Sequence, residues 1–248
     1  MKRIFYIMLI LVFACNSEDA NDCFQKAGNT IQKEVPVTAF ETILVNRDVE
    51  LILKQGPEFL VTIESGENLM NDITAEVIGE QLQITDNNTC NFVRDYALTK
   101  VYVQAPNVSE IRSSTQYDIS SEGVLEYDQL TLISEDFNAP GTFTTGDFRL
   151  QVANMQQLRV TTNNMSFVYV TGSVENLSVR FFSGAGRFEG ANLIAQNVDV
   201  YHRGSNDMVV NPQQQLTGEL RGPGDLISVS QPTVVDVEQF YTGALIFN

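Results

Sequence analysis

The chain has 248 residues, of which 15 are lysine or arginine and 31 are aspartate or glutamate, for a formal charge of −16. That balance excludes a nucleic-acid-binding role, because phosphate contacts need a basic face. The length suits one all-β domain or two small ones.

Met1-Lys2-Arg3 is a short basic start, and an apolar run follows from Ile4 to Ala14. A small residue, Ala14, then precedes Cys15, which is the layout of a secretory signal. A membrane-spanning helix needs roughly 20 apolar residues, and this run is only about 11. Residues 1–14 therefore read as a signal peptide. The segment Val12-Phe13-Ala14-Cys15 resembles a bacterial lipobox, although Phe13 is larger than the usual residue there. The resemblance implies that Cys15 is lipidated and becomes the new N-terminus. Each buried methylene of such an anchor contributes about 0.8 kcal/mol.

After Cys15 the chain turns polar and acidic with Asn16-Ser17-Glu18-Asp19, and residues 15–34 read as a tether. The stretch is similar to the acidic surface-export signal of some Gram-negative outer-membrane lipoproteins; a plain solvated linker is the alternative. The expected location is the outer membrane, with exposure at the cell surface. Loss of Lys2 and Arg3 moves the charge to about −18. Anionic membrane surfaces repel such a domain, so attachment falls to the lipid.

Lipidation of Cys15 leaves Cys23 and Cys90. Export predicts a disulfide between them, with two buried free thiols as the alternative. His202 is the one histidine and no paired-cysteine spacing occurs, so no metal or other cofactor is expected.

From Val35 onward strand signals dominate. Short runs such as Val49–Leu53, Phe59–Ile63, Leu82–Ile84, Val101–Val103, Leu130–Ile133, Phe148–Val152 and Phe167–Val170 alternate with Gly, Asn, Asp and Ser. Asn68–Ile73 has room for one helical turn. Thr74–Ile78 and Gln81–Thr85 flank Gly79-Glu80 and predict a hairpin.

The C-terminal half repeats. Segments starting at Gln157, Asn176, Asn197 and Gln215 each open with an amide followed by an apolar residue, 18–21 positions apart. Between them lie the turns Ser183–Gly186, Gly204–Asn206 and Gly222–Gly224. A repeat of about 20 residues is too short for a strand–helix–strand unit. It predicts the coil of a single-stranded right-handed parallel β-helix, in which equivalent positions stack on successive rungs. The less regular region before residue 100 predicts an N-terminal β cap over the coil end. An antiparallel sandwich is the rival fold.

Phe40-Glu-Thr-Ile43, Val49–Leu53, Gly66-Glu-Asn-Leu69, Gln81–Asn87, Val101–Val103, Pro106-Asn-Val108, the glycine-punctuated coils and the ending Tyr241–Phe247 carry a resemblance. Residues 35–248 resemble the head GIN domain of the putative auto-transporter adhesin family, bacterial lipoproteins of unknown function. The resemblance implies the right-handed β-helix and offers no catalytic residues to carry over.

No catalytic constellation emerges. Gly184-Ala-Gly186-Arg-Phe-Glu-Gly190 has the wrong glycine spacing for a phosphate loop and reads as a turn. The repeat would align Arg203 with Arg221 and Asp207 with Asp225, next to His202, along one side. These five residues form a candidate ligand face; an exposed charge ladder of little energetic weight is the alternative. The best-supported expectation is a non-catalytic, lipid-anchored binding module for a surface protein or glycan. A self-stacking, homo-oligomeric envelope component and a polysaccharide-cleaving enzyme are the other readings.

Overall fold

The computed structural model describes residues 23–88, 90–95 and 99–248; the signal peptide, Cys15 and the first part of the tether lie outside them. Among the described residues seventeen strands form one sheet: β1 (Thr30–Val35), β2 (Thr42–Val45), β3 (Val49–Gln55), β4 (Leu60–Gly66), β5 (Ile73–Ile78), β6 (Gln81–Asp86), β7 (Thr99–Ala105), β8 (Glu110–Ser113), β9 (Ile119–Leu125), β10 (Gln129–Ser134), β11 (Phe148–Thr162), β12 (Phe167–Phe181), β13 (Arg187–His202), β14 (Met208–Leu220), β15 (Leu226–Ser228), β16 (Val234–Gln239) and β17 (Leu245–Phe247). A 3-10 turn, Met70–Asp72, sits in the Asn68–Ile73 segment. Among the described residues no helix is long and apolar enough to cross a membrane.

Alternation of apolar and polar residues makes these strands half-buried. In β3, Val49, Leu51 and Leu53 are fully buried, while Glu50 and Ile52 between them are only half-buried. The long strands β11 to β14 each run in two legs. Their register shifts at the bend, as between Val152 and Met155, where Asn154 takes a positive φ of 54°. Gly172, at φ 114°, makes the next bend, and a Cβ there would lie 1.7 Å from the Val152 carbonyl oxygen. Only glycine lets the two backbones approach that closely.

Parallel pairing stacks one inward column, Phe148, Val168, Phe188, Met208 and Leu226, and another, Leu130, Leu158, Leu177, Val198 and Leu216. All ten side chains are buried. Full burial of such a side chain stabilises by about 1.5–3 kcal/mol, so the stacked columns are the main hydrophobic core of the C-terminal half. The register also pairs Gln157 with Asn176, Asn176 with Asn197, and Asn197 with Gln215, as the sequence repeat aligned them.

The expectation of a single-stranded right-handed parallel β-helix under an N-terminal cap is corrected. The sheet is mixed, nearly closed and barrel-like. Strands β1 and β4, β4 and β7, and β5 and β6 pair antiparallel. Nor are the N-terminal strands a separate cap. Strand β2 pairs in parallel with β6 and β8, and β3 with β7 and β9, so they belong to the same sheet. Connection length explains part of this. The two-residue link Gly79-Glu80 can only fold β5 back on β6, because parallel neighbours need a long crossover.

The later tether residues are held in the fold. Strand β1 pairs with β4 over six positions, from Thr30 opposite Gly66 to Val35 opposite Val61. Gln25 is buried and its amide donates to the Asn68 carbonyl over 2.9 Å. Cys23 and Cys90 form a disulfide, and the Phe92 amide donates to the Cys23 carbonyl over 3.0 Å.

Candidate functional site

The five residues of the expected ligand face separate. In register terms Arg203 does follow His202 next to Arg221, and Asp207 does precede Met208 next to Asp225. His202, however, points inward and is fully buried against Phe181, ring centroids 6.1 Å apart. Its Nδ1 accepts a 3.4 Å bond from the Gly204 amide, and its Nε2 has no hydrogen-bond partner. Burial lowers its pKa, opposed by the Asn206 backbone and by Asp207 and Asp225. An imidazole enclosed in this way cannot meet a surface ligand.

The aspartates are committed to the backbone. Asp207 Oδ1 accepts from the Asp225 amide (3.2 Å), and its Oδ2 pairs with Arg187 (3.2 Å). Asp225 Oδ1 accepts from the Ala244 amide (2.8 Å), just as Asp147 Oδ1 accepts from Phe167 (3.0 Å). At these three positions an aspartate closes the start of the following rung. It is structural chemistry, satisfying amides that enter the next strand.

A different column carries exposed groups. The residue after each rung end bonds through its amide to the rung before: Phe182 to Thr162 (2.9 Å), Arg203 to Phe181 (2.8 Å), Arg221 to His202 (2.7 Å) and Phe240 to Leu220 (2.8 Å). Outside this column Phe182 meets Tyr201, centroids 5.3 Å apart. The Arg221 guanidinium lies 4.0 Å from the Phe240 ring centroid and 6.0 Å from that of Tyr201, and pairs with Glu219. Ring and cation are in the geometry of a cation–π contact. Arg203, by contrast, makes no side-chain hydrogen bond or ion pair among the described residues.

Beside this column opens a cleft of about 570 Å³. Phe182 and Arg203 line one side, and Phe137, on the loop after β10, lines the other with 84% of its surface exposed. The Phe137 loop is anchored on both sides. Buried Glu135 accepts two 3.1 Å bonds from Arg112, one of 3.0 Å from the Asn138 amide and one of 3.3 Å from its side chain. Burial pushes the Glu135 carboxyl up, but these donors more than offset it and its pKa is lowered. Asp136 and Asn163 exchange two further bonds, of 2.7 and 3.2 Å. Loop residues that carry a ring into solvent on such a frame are positioned for contact.

Other surface features are less concave. The amide ladder Gln157, Asn176, Asn197 and Gln215 lines an open groove, with Asn197 donating to Asn176 over 3.1 Å. The last rung, β16 and β17, leaves Val234, Val235, Ile246 and Phe247 exposed at 38–49%. The Asp86 carboxylate accepts from the Asn88 side chain and from the Thr99 hydroxyl, and burial raises the Asp86 pKa. Among the described residues no three His, Cys, Asp or Glu side chains converge on a metal position.

Phe137 and Phe182 escaped sequence reasoning. Phe137 sits in a loop with no periodicity to mark it. Phe182 was recoverable, because Leu177, Val179 and Phe181 share the inward parity of β12 and the next residue must leave it.

Residues 39–232 match the family model described as putative auto-transporter adhesin, head GIN domain. The fold is similar to that of a putative adhesin from Bacteroides fragilis NCTC 9343, with TM-score 0.78 and 18% identity over 90% of this chain and 99% of that one. It is also similar to a putative adhesin from Parabacteroides distasonis ATCC 8503, with TM-score 0.63 and 12% identity over 90% and 99%. A putative lipid binding protein from the same strain gives TM-score 0.61 and 14% identity over 89% and 97%. At these identities the likeness establishes the fold. Among curated proteins none matches.

Proposed function

The chain belongs to the putative auto-transporter adhesin, head GIN domain family, and from that premise we propose that it is a lipid-anchored, non-catalytic binding module of the cell envelope. Cys15 carries the lipid, the outer membrane is its seat, and the domain faces outward to a surface protein or glycan. The observation that carries this reading is the column of rings and guanidinium groups at the rung ends, Phe182, Arg203, Arg221 and Phe240, with Tyr201 packed beside it. Aromatic and arginine side chains on a rigid frame are the types that dominate binding energy at interfaces. Catalysis has little support there, since the cleft carboxylate Glu135 is tied to Arg112.

An array of envelope proteins and glycans, probed with the mature chain and with Phe182→Ala and Phe240→Ala, tests the proposal. The parent should capture a partner and both variants should lose at least tenfold in affinity. Reproducible glycan cleavage, or capture indifferent to both rings, would reject it. Protease shaving of intact cells tests the outward face; protection until lysis would reject that part.

One observation favours a second reading, self-stacking between copies. Strands β16 and β17 each pair on one side only, with β14 and β15, and expose apolar side chains. Open edges of this kind are templates for further strands. A monomeric mass for the parent at all concentrations would dismiss it.

A further inference from the structure

We propose that the cleft between Phe137 and Phe182 is a binding site for a small apolar carboxylate, of the chemistry of a medium-chain fatty acid, with Arg203 as its counter-charge. The proposal rests on the binding-module reading above and names a ligand class for it. A volume of about 570 Å³ lies within the range of roughly 300–1,000 Å³ typical of small-molecule pockets.

The polar groups in the lining decide the ligand's character, because most are already used. Asn138 donates to Glu135, Asn163 both donates to and accepts from Asp136, and the Ser183 hydroxyl donates to the Asn163 carbonyl. A sugar needs many free donors and acceptors, and this lining offers few. What remains unspent is the face of two exposed phenyl rings and the guanidinium of Arg203. Rings call for an apolar body, and a guanidinium calls for an anion.

Charge count favours a monoanion. The cleft's carboxylate, Glu135, is neutralised by Arg112, and Arg221 on the next rung is neutralised by Glu219. Among the described residues that line the cleft, Arg203 is the cation left over, in a chain whose formal charge is −16. The field of such a chain opposes anions generally, so the site must supply its own local attraction. A dianionic phosphate head would exceed that single charge.

Calorimetric titration of the mature chain carrying Cys15→Ser with decanoate, decanol, decyl phosphate and glucuronate tests the assignment. Decanoate should bind, and each of the other three at least tenfold more weakly. Phe182→Ala and Arg203→Gln should each weaken decanoate at least tenfold, while Ile78→Ala, exposed on β5 and outside the cleft lining, should leave it unchanged. Both substituted cleft side chains are at the surface, and an unchanged thermal midpoint confirms folding. No decanoate binding, binding indifferent to Arg203, or tighter binding of decyl phosphate or glucuronate would overturn the proposal. The two readings fail separately. Ring-dependent partner capture without decanoate binding sinks this inference alone. Decanoate binding through Arg203 without any captured partner sinks the macromolecular reading alone.

Discussion

Glu135→Gln keeps side-chain volume and removes one charge from the base of the cleft. In the parent, Glu135 is 3% exposed and accepts four bonds, two from Arg112 and two from Asn138. Glutamine retains one acceptor oxygen and turns an amide nitrogen toward a donor. Removing one partner of a fully buried pair destabilises by about 3–5 kcal/mol. The Arg112 side chain keeps 21% exposure and regains part of its hydration, so the expected loss is about 2–3 kcal/mol. For a domain of this size that lowers the melting midpoint by about 5–10 °C. The lowered pKa of Glu135 adds a pH signature. A carboxylate with a depressed folded pKa stabilises above its unfolded value, and that stability fades as pH falls through the folded value. Parent and variant should therefore differ at pH 7 and converge in acid, once pH falls below the lowered folded value of Glu135. Urea denaturation followed by circular dichroism at both pH values measures this. A gap under about 1 kcal/mol at neutral pH, or one that persists undiminished in acid, would refute the reasoning.

Gly172→Ala should destabilise by more than about 3 kcal/mol, because its Cβ meets the Val152 carbonyl at 1.7 Å, whereas Gly123→Ala, at φ 85° with open space around it, should lose only about 1 kcal/mol. Equal urea midpoints for the two would show that close rung approach is unimportant. His202→Leu should remove a loss of stability that the parent shows as pH falls below the ordinary histidine value, since burial lowers the pKa of His202 and the folded state resists its protonation; parallel melting curves of parent and variant across that range would count against it. Reduction of Cys23–Cys90, which closes a separation of 67 residues, should remove up to about 4 kcal/mol in the chain-entropy model. It should also open Lys26 and Lys33 to trypsin, and unchanged cleavage there would indicate that β1 is held by pairing alone.

The repeat was legible because register is written in residue type. An amide before an apolar residue, and a glycine at each corner, recur at fixed spacing, and the strands pair at those positions. Orientation across the rest of the sheet was not legible. Whether β2 meets β6 and β8, or β4 meets β1 and β7, depends on long-range partners that alternation cannot name. The error at His202 was one of parity. Val198 and Val200 face inward in β13, and His202 falls on the same side two residues later. Reading the spacing between Arg203 and Arg221 while ignoring inside and outside merged a buried imidazole with surface guanidinium groups. The Phe137 side of the cleft is assembled by the Arg112–Glu135 ion pair between β8 and a loop, which no local pattern announces.

The column at the rung ends gives this surface a pitch. Each rung of about 20 residues contributes one corner side chain, and neighbours along the column stand roughly 4.8 Å apart. Exchanging that one residue alters a single rung of the column and leaves the buried stacks beneath untouched. Corner chemistry on this frame is thus set linearly, one position at a time.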